Sequence, residues 1–165
     1  MSVSDVVRDA ASHHTPLIEV TGGEPLLQPG AWPLLEKLCD TGCTVLLETS
    51  GERDISMVDP RVRRIVDFKA PGSGESQRNR WQNVEELRST DEVKFVLADE
   101  EDFLWATARI QEHDLSDRVD CILFSPVHDV LDPKLLVQWM LRDRPPARLQ
   151  LQMHKYIWDA ATQGV

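Results

Sequence analysis

The sequence is poor in cysteine and has no long apolar run. Its three cysteines, Cys39, Cys43 and Cys121, are odd in number and sparse, which disfavours a disulfide framework and fits a reducing compartment. No apolar stretch approaches the roughly 18 residues that a membrane span needs. The opening residues MSVSDVVRDAASHH lack the basic flank and apolar block of a signal peptide. Together these absences predict a cytoplasmic location.

Positive charge is also scarce. The chain has 18 lysines and arginines against 28 aspartates and glutamates, a formal net charge of −10. A nucleic-acid binder needs a basic face for the phosphate backbone, so this balance argues against nucleic acid as a partner. With 165 residues and 41% hydrophobic residues, the chain suits a single domain, residues 1–165, with a sizeable core. No repeat or linker marks a second domain.

Short β-branched or aliphatic runs alternate with segments of helical period. The runs are residues 16–20, 43–49, 64–69, 92–98, 120–125 and 148–152. Alternation of this kind predicts βα units and a parallel sheet, an α/β fold of the (β/α)6, TIM-like type. The chain begins with a helical segment, whereas a closed βα barrel begins with a strand. We therefore expect a partial barrel in which the first strand is lacking.

Helix boundaries and one long loop complete the pattern. Asp99 and Asp132 are expected N-caps, Pro133 occupies a first helical position, and Gly42 follows a helix end. Residues 70–83 form a loop rich in glycine and serine that is too long for a plain connector, which is typical of a functional or mobile segment.

Polar residues and glycines follow nearly every predicted strand. Ligands of parallel βα proteins collect at the carboxyl ends of the strands, so these residues are expected to face a common site. In the run Thr21 to Pro25 the glycines permit positive φ and close approach of a ligand to the backbone. The Glu24 carboxylate is an acceptor for a cationic group such as an ammonium. The alternative is an ordinary strand-to-helix turn with a solvated glutamate.

Six motifs occur in an order that resembles a known family. They are TGGEPLLQ, ETSG, DFKAPGSGE, KFVL, FSPVH and QLQMHKYIW, between about Pro16 and Trp158. GGEP is similar to the motif by which radical S-adenosylmethionine enzymes hold the amino end of their cofactor. The full order resembles the 7-carboxy-7-deazaguanine synthase family, and QMHKYIW is its most specific element. The resemblance implies a radical S-adenosylmethionine barrel that lacks its first strand and cluster loop.

The resemblance also implies roles for particular residues. Those expected at the S-adenosylmethionine site are Gly22, Gly23, Glu24, Ser50, Lys69, Ser125, Pro126, Val127 and His128. Thr21 and His154 are expected to bind the substrate by hydroxyl and imidazole hydrogen bonds. Each has an alternative: Lys69 as a solvated lysine, His128 in a structural hydrogen bond, and His154 as an interface histidine.

The chemistry that the resemblance implies is that of a carbon–nitrogen lyase in queuosine biosynthesis. A reduced 4Fe–4S cluster cleaves S-adenosylmethionine, and the resulting radical converts 6-carboxy-5,6,7,8-tetrahydropterin to 7-carboxy-7-deazaguanine and ammonia. Magnesium is expected to bind the substrate carboxylate. An electron donor such as flavodoxin and a homodimeric intact enzyme are the expected partners.

The chain departs from the family in its cysteines. The superfamily signature is C-x3-C-x2-C, and CDTGC supplies only Cys39 and Cys43, because Leu46 occupies the third position. The pair also follows GGEP rather than preceding it. We therefore expect Cys39 to pack in a helix, Cys43 to begin a strand and Cys121 to be buried in a strand. No cysteine or magnesium ligand of the cluster loop is present, which predicts an N-terminally truncated and inactive fragment.

Two alternatives to the synthase remain. One is another radical S-adenosylmethionine enzyme, an activase for a glycyl-radical enzyme, against which the QMHKYIW ending counts. The other is a βα domain without a cluster that binds S-adenosylmethionine or a pterin and performs no catalysis.

Overall fold

Six parallel strands form one sheet in the order β1-β2-β3-β4-β5-β6. The computed structural model describes residues 1–158 of the chain. The strands are β1 (Leu17–Val20), β2 (Thr44–Thr49), β3 (Arg63–Asp67), β4 (Glu92–Leu97), β5 (Cys121–Pro126) and β6 (Arg148–Leu149). All five neighbouring pairs are parallel, so their carboxyl ends lie at one edge of the sheet. The predicted partial α/β barrel and its six strands are confirmed.

α-Helices connect β1 to β2, β4 to β5 and β5 to β6, and two more lie before β1 and after β6. They are α1 (Val3–Ser12), α2 (Ala31–Asp40), α3 (Glu100–Glu112), α4 (Leu115–Arg118), α5 (Pro133–Asp143) and α6 (His154–Ile157). The side chains of Asp99 and Asp132 accept hydrogen bonds from Asp102 N and Lys134 N, which confirms both expected N-caps. At the start of α1, Ser2 and Asp5 form a reciprocal capping box. None of the helices within residues 1–158 is long and apolar enough to cross a membrane.

The two faces of the sheet differ in chemistry, because successive strand side chains point to opposite sides. The face covered by helices is apolar and fully buried, and includes Val45, Leu47, Val66, Val93, Phe95, Leu97 and Phe124. The opposite face, here called the inner face, carries charged side chains. They include Glu19 on β1, Glu48 on β2, Asp67 on β3 and Lys94 on β4. A parallel sheet with an apolar helix-covered face and charges on its inner side suits a polar ligand.

One buried ion pair lies near the amino ends of β3 and β4. Arg64 and Asp91 are both fully buried, with side-chain exposures of 0% and 0%. The Arg64 guanidinium donates to the Asp91 carboxylate and to the carbonyl oxygens of Ile55 and Glu86. Asp91 also accepts from the backbone N–H groups of Arg64 and Arg88. The network joins β3 to the segments on either side of it.

Two details differ from the expectations, and both concern cysteines. Cys43 precedes β2 and its thiol donates to the carbonyl oxygen of Thr15 at 3.4 Å. Cys121 begins β5 and is half-buried rather than buried, because the first strand residue lies at the open end of the sheet. Residues 70–83 contain the short 3-10 turns Pro71–Ser73 and Ser76–Arg78 and the start of a third, Trp81–Glu86. Cys39 is buried in α2, as expected.

Candidate functional site

The turn after β1 owes its shape to two glycines. Gly22 and Gly23 have φ angles of +95° and +56°, in the region that L side chains rarely adopt. A Cβ at either position would meet no atom within 4 Å in the described part of the chain. The glycines are therefore required by the backbone conformation, and the space beside them is open. The turn leads directly into Glu24.

Glu24 joins this turn to the end of β2. Its carboxylate accepts from Leu26 N at 2.9 Å, which caps the 3-10 turn Pro25–Leu27. It also accepts from Thr49 Oγ1 at 2.8 Å and from Ser50 N at 2.6 Å, together with the Ser50 hydroxyl. Two of these donors are hydroxyl groups, which can rotate towards other acceptors. An incoming ammonium can therefore replace the hydroxyl bonds while the backbone N–H bonds keep Glu24 in place.

A cavity of about 310 Å³ opens beside Glu24, at the carboxyl ends of β1, β2 and β3. We call it the β1–β3 cavity. It is lined by Glu24, Leu27, Ser50, Glu52, Lys69, Glu75 and Arg78. Three of the predicted cofactor-binding residues, Glu24, Ser50 and Lys69, thus meet although they come from three separate loops. Carboxylates and cations both line the wall, so the cavity suits a zwitterionic group.

Lys69 is held in this cavity by its backbone and its side chain. Its N–H donates to Asn79 Oδ1 at 2.8 Å, and its carbonyl oxygen accepts from Asn79 Nδ2 at 2.9 Å. Its ammonium pairs with the carboxylate of Asp67, the last residue of β3. The loop that carries Glu75 and Arg78 is anchored in turn, because Gly72 N donates to the buried Asp102 carboxylate at 2.8 Å. The far wall of the cavity is therefore ordered.

Charged groups continue from this cavity across the inner face. Lys94 Nζ lies 2.7 Å from Glu48 Oε1, and the lysine side chain is only 9% exposed. Burial raises the pKa of the Asp67 carboxyl, against the lowering effect of the Lys69 ammonium. Burial also raises the pKa of Glu19, and the neighbouring Glu48 carboxylate adds to that increase. Charges as deeply buried as those of Asp67 and Lys94 are costly unless a partner or a ligand meets them.

A second cavity, of about 390 Å³, lies between the end of β5 and the start of α5. We call it the β5–α5 cavity. It is lined by Pro126, His128, Asp129, Val130, Leu131, Asp132, Pro133, Leu151, Gln152 and Tyr156. The His128 ring meets the Tyr156 ring edge-on, with centroids 5.3 Å apart, and His128 Nδ1 lies 3.0 Å from the Asp129 carboxylate. Its wall is mostly apolar with a few polar groups, the usual character of a small-molecule site.

Two polar atoms, one at the end of β5 and one on the wall of the β5–α5 cavity, are buried without partners in the described part of the chain. Within residues 1–158, neither the Ser125 hydroxyl nor Gln152 Oε1 has a hydrogen-bond partner. Ser125 is fully buried at the end of β5, and Gln152 lines the cavity. Buried polar groups are almost always satisfied, so such atoms indicate a missing partner such as water or a ligand.

The structure does not gather every predicted residue into one cavity. Pro126 and His128 line the β5–α5 cavity, whereas Val127 donates its N–H to the carbonyl oxygen of Leu97 at 2.9 Å. Thr21 and Gly22 line a third, more apolar cavity of about 280 Å³ beside α1 and α2. His154 is exposed at the start of α6, two residues after Gln152. The predicted substrate residues Thr21 and His154 therefore lie in different places.

Sequence reasoning did not assign the inner-face charges to the site. Glu48, Asp67 and Lys94 received no role, although each is a charged residue next to buried apolar residues of its strand. Lys94 in EVKFVLA alternates with Val93 and Phe95, a period-2 pattern that places it on the opposite face of the sheet. That pattern is the signal which marks these residues. Thr49, the hydroxyl partner of Glu24, was also missed.

The thiols do not form a cluster site. Cys39 is buried in α2, Cys43 bonds to Thr15, and Cys121 begins β5. Among residues 1–158, no three histidine, cysteine, aspartate or glutamate side chains are placed to hold a metal ion. A 4Fe–4S cluster with an open iron needs three thiolates, so the cysteines of this chain do not fit it.

Comparison with solved structures supports the fold. Two crystal structures of SuiB from Streptococcus suis match 92% of this chain, with TM-scores of 0.64 and 0.61. The second is bound to S-adenosylmethionine. Sequence identity is 8% in both, and the match spans 43% and 44% of the SuiB chains, so it concerns the fold alone. The open parallel sheet and this match define an α/β protein with a partial βα barrel of the kind seen in SuiB.

Comparison of sequences shows the family, although no protein-family model matches the chain. The chain is 45% identical to 7-carboxy-7-deazaguanine synthase of Chlorobaculum tepidum over 168 residues, covering 100% of this chain and 76% of that protein. It is 41% identical to 7-carboxy-7-deazaguanine synthase of Koribacter versatilis over 162 residues, covering 90% and 72%. The chain belongs to the 7-carboxy-7-deazaguanine synthase family.

Proposed function

We propose that this chain binds S-adenosylmethionine as part of a 7-carboxy-7-deazaguanine synthase. The family reaction converts 6-carboxy-5,6,7,8-tetrahydropterin to 7-carboxy-7-deazaguanine with loss of ammonia, which makes the enzyme a carbon–nitrogen lyase. The observation that carries the proposal is the meeting of Glu24, Ser50 and Lys69 in the β1–β3 cavity. The electron donor would be a protein such as flavodoxin, and the intact enzyme would be a homodimer.

The β1–β3 cavity fits the amino-acid end of S-adenosylmethionine. That end carries an ammonium and a carboxylate, and the cavity presents the Glu24 carboxylate and the Lys69 ammonium. The open space beside Gly22 and Gly23 would let the ligand approach the backbone of the turn. When bound, S-adenosylmethionine supplies the one-electron chemistry of the family.

The β5–α5 cavity fits a flat heterocycle with a polar edge. Pro126, Leu131 and Leu151 supply apolar contact, and His128 and Gln152 supply hydrogen bonds. We assign it to the adenosyl end of the cofactor, with the unpartnered Ser125 hydroxyl as a further contact. Val127 would help to shape the wall through its backbone bond to Leu97.

The inner face would receive the pterin. A pterin ring presents N–H donors and a carboxylate, and Glu48 and Lys94 offer an acceptor and a cation on that face. Thr21 and His154 would contact the substrate from the rim. The cysteines of this chain do not fit a 4Fe–4S cluster, and residues 1–158 contain no group of three metal-binding side chains, so we assign no ligand of either metal to these residues.

Direct binding tests the proposal. We expect the chain to bind S-adenosylmethionine in isothermal titration calorimetry, and Glu24→Gln to weaken that binding about tenfold or more, because a charged hydrogen-bond acceptor is lost. The matched control is Glu36→Gln, an exposed glutamate on α2. His154→Ala should weaken pterin binding and leave S-adenosylmethionine binding unchanged. Equal binding by the chain and by Glu24→Gln would contradict the assignment of the β1–β3 cavity.

A second candidate function is binding without catalysis. The placement of Cys39, Cys43 and Cys121 favours it, because these thiols do not form a cluster site. The coding DNA upstream of Met1 separates the two candidates. An in-frame C-x3-C-x2-C motif about one strand away supports the synthase, and a regulated start at Met1 with no upstream cysteine motif supports the binding domain.

A further inference from the structure

Asp67 differs from the other buried carboxylates by having one oxygen unused. Its side chain is 10% exposed, and one oxygen pairs with the Lys69 ammonium. The other oxygen, Oδ1, is buried and has no hydrogen-bond partner in the described part of the chain. Asp91, which is also buried, uses both oxygens for four donors, from Arg64 and Arg88. A purely structural aspartate is expected to resemble Asp91.

The position of Asp67 connects the two parts of the site. It ends β3 on the inner face, beside the charged groups of Glu48 and Lys94. Through Lys69 it reaches the β1–β3 cavity, where the lysine is 31% exposed and lines the wall. A lysine side chain is a flexible four-carbon chain, and without an ion pair its ammonium would sample many positions in solvent. The ion pair restricts the ammonium to the cavity.

We propose that Asp67 is a positioning residue that holds the Lys69 ammonium towards the carboxylate of the cofactor. The inference rests on the proposed function, since it assigns the β1–β3 cavity to S-adenosylmethionine. Asp67 does not touch the ligand carboxylate itself, because two carboxylates repel. Asp67 acts on the ligand indirectly, by fixing the position of the charged Lys69 ammonium.

The first measurement needs no ligand. Acetylation of Lys69 by acetic anhydride is followed by mass spectrometry at pH 8 in the chain and in Asp67→Asn. We expect Lys69 to react about threefold faster in Asp67→Asn, because the ion pair that holds its amino group against Asp67 is lost and the amino group moves more freely towards the reagent. Asp59→Asn, which breaks the surface pair with Arg61, is the control and should leave the rate at Lys69 unchanged. An unchanged rate in Asp67→Asn would overturn the proposal.

The second measurement separates positioning from simple structure. Asp67→Asn should lower the affinity for S-adenosylmethionine about tenfold, because the opposing charge is no longer held in place. The same substitution should have no effect in a Lys69→Met background, and none on the decarboxylated analogue of the ligand. A loss of affinity that persists with the analogue or without Lys69 would show that Asp67 acts otherwise.

The two proposals fail in different ways. If the unmodified chain does not bind S-adenosylmethionine, the proposed function is wrong, and the acetylation rates still decide whether Asp67 holds Lys69. If the chain binds the ligand and Asp67→Asn binds it equally well, the proposed function stands and the role of Asp67 is wrong.

Discussion

Arg64 and Asp67 lie on the same short strand, both are buried, and they belong to opposite kinds of environment. Arg64 points to the helix-covered face, where Asp91, Ile55 and Glu86 meet its guanidinium. Asp67 points to the inner face and keeps an oxygen without a partner in residues 1–158. Burial alone therefore does not identify a functional charge. The number of hydrogen-bond partners distinguishes the two charges. A structural network satisfies all of its polar atoms, whereas a binding site leaves some of them for its ligand.

Removal of Arg64 should have the largest effect on stability. Arg64→Met leaves Asp91 buried and without its cation, and we expect a loss of about 3–5 kcal/mol in the free energy of unfolding. Urea denaturation followed by circular dichroism measures it. The double variant Arg64→Met with Asp91→Leu should recover part of the loss, because no charge is then buried alone. If the single and the double variant have the same free energy of unfolding, Arg64 and Asp91 do not act as a coupled pair.

A smaller loss of stability is expected when the hydrogen bond from Thr49 on β2 to Glu24 is removed. Thr49→Val removes the hydroxyl that donates to Glu24, and we expect a loss of about 1.5–3 kcal/mol, the range for hydrogen bonds to charged groups. The matched control is Thr44→Val, at the exposed start of the same strand. Equal midpoints in urea for the two variants would contradict the contribution of this bond.

Asp67→Asn should change stability in the opposite direction. Because burial raises the pKa of Asp67, its ionised form costs stability above that pKa, and the cost disappears as pH falls through the raised pKa towards 3.8. Asn carries no charge, so the variant should melt at a higher temperature than the unmodified chain at pH 8. The two should converge below about pH 4. If Asp67→Asn is less stable than the unmodified chain at pH 8, Asp67 is a structural charge like Arg64.

The smallest effect on stability is expected at Asp59, a partly exposed carboxylate that pairs with Arg61. Its hydrogen bonds with Arg61 lower the pKa of Asp59 to about 2. The stabilisation is therefore present above 3.8 and is lost as pH falls towards 2. Asp59→Asn should be slightly less stable than the unmodified chain at pH 6 and equal to it near pH 2. Thermal melts across this range should show the opposite slope from Asp67→Asn.

The alternation of strand-like and helical segments determined the fold class. Six runs such as EVKFVLA became six parallel strands, and Asp99 and Asp132 became N-caps, because local propensity and hydrophobic period act over neighbouring residues. The order of the strand-end motifs was enough to indicate the family. The meeting of Glu24, Ser50 and Lys69 followed from the rule that parallel strands end at one edge.

Only the tertiary structure decided which partner each charge meets. Lys94 pairs with Glu48 and Asp67 with Lys69, while Glu24 is bound by Thr49 and Ser50. The Lys94–Glu48 pair and the hydrogen bonds to Glu24 join different strands or loops. The distances between these groups therefore depend on the register of the sheet. A one-residue change in register would turn every inner-face side chain to the other face. The sequence by itself therefore determined the elements and their order, and packing across strands determined the electrostatics of the site.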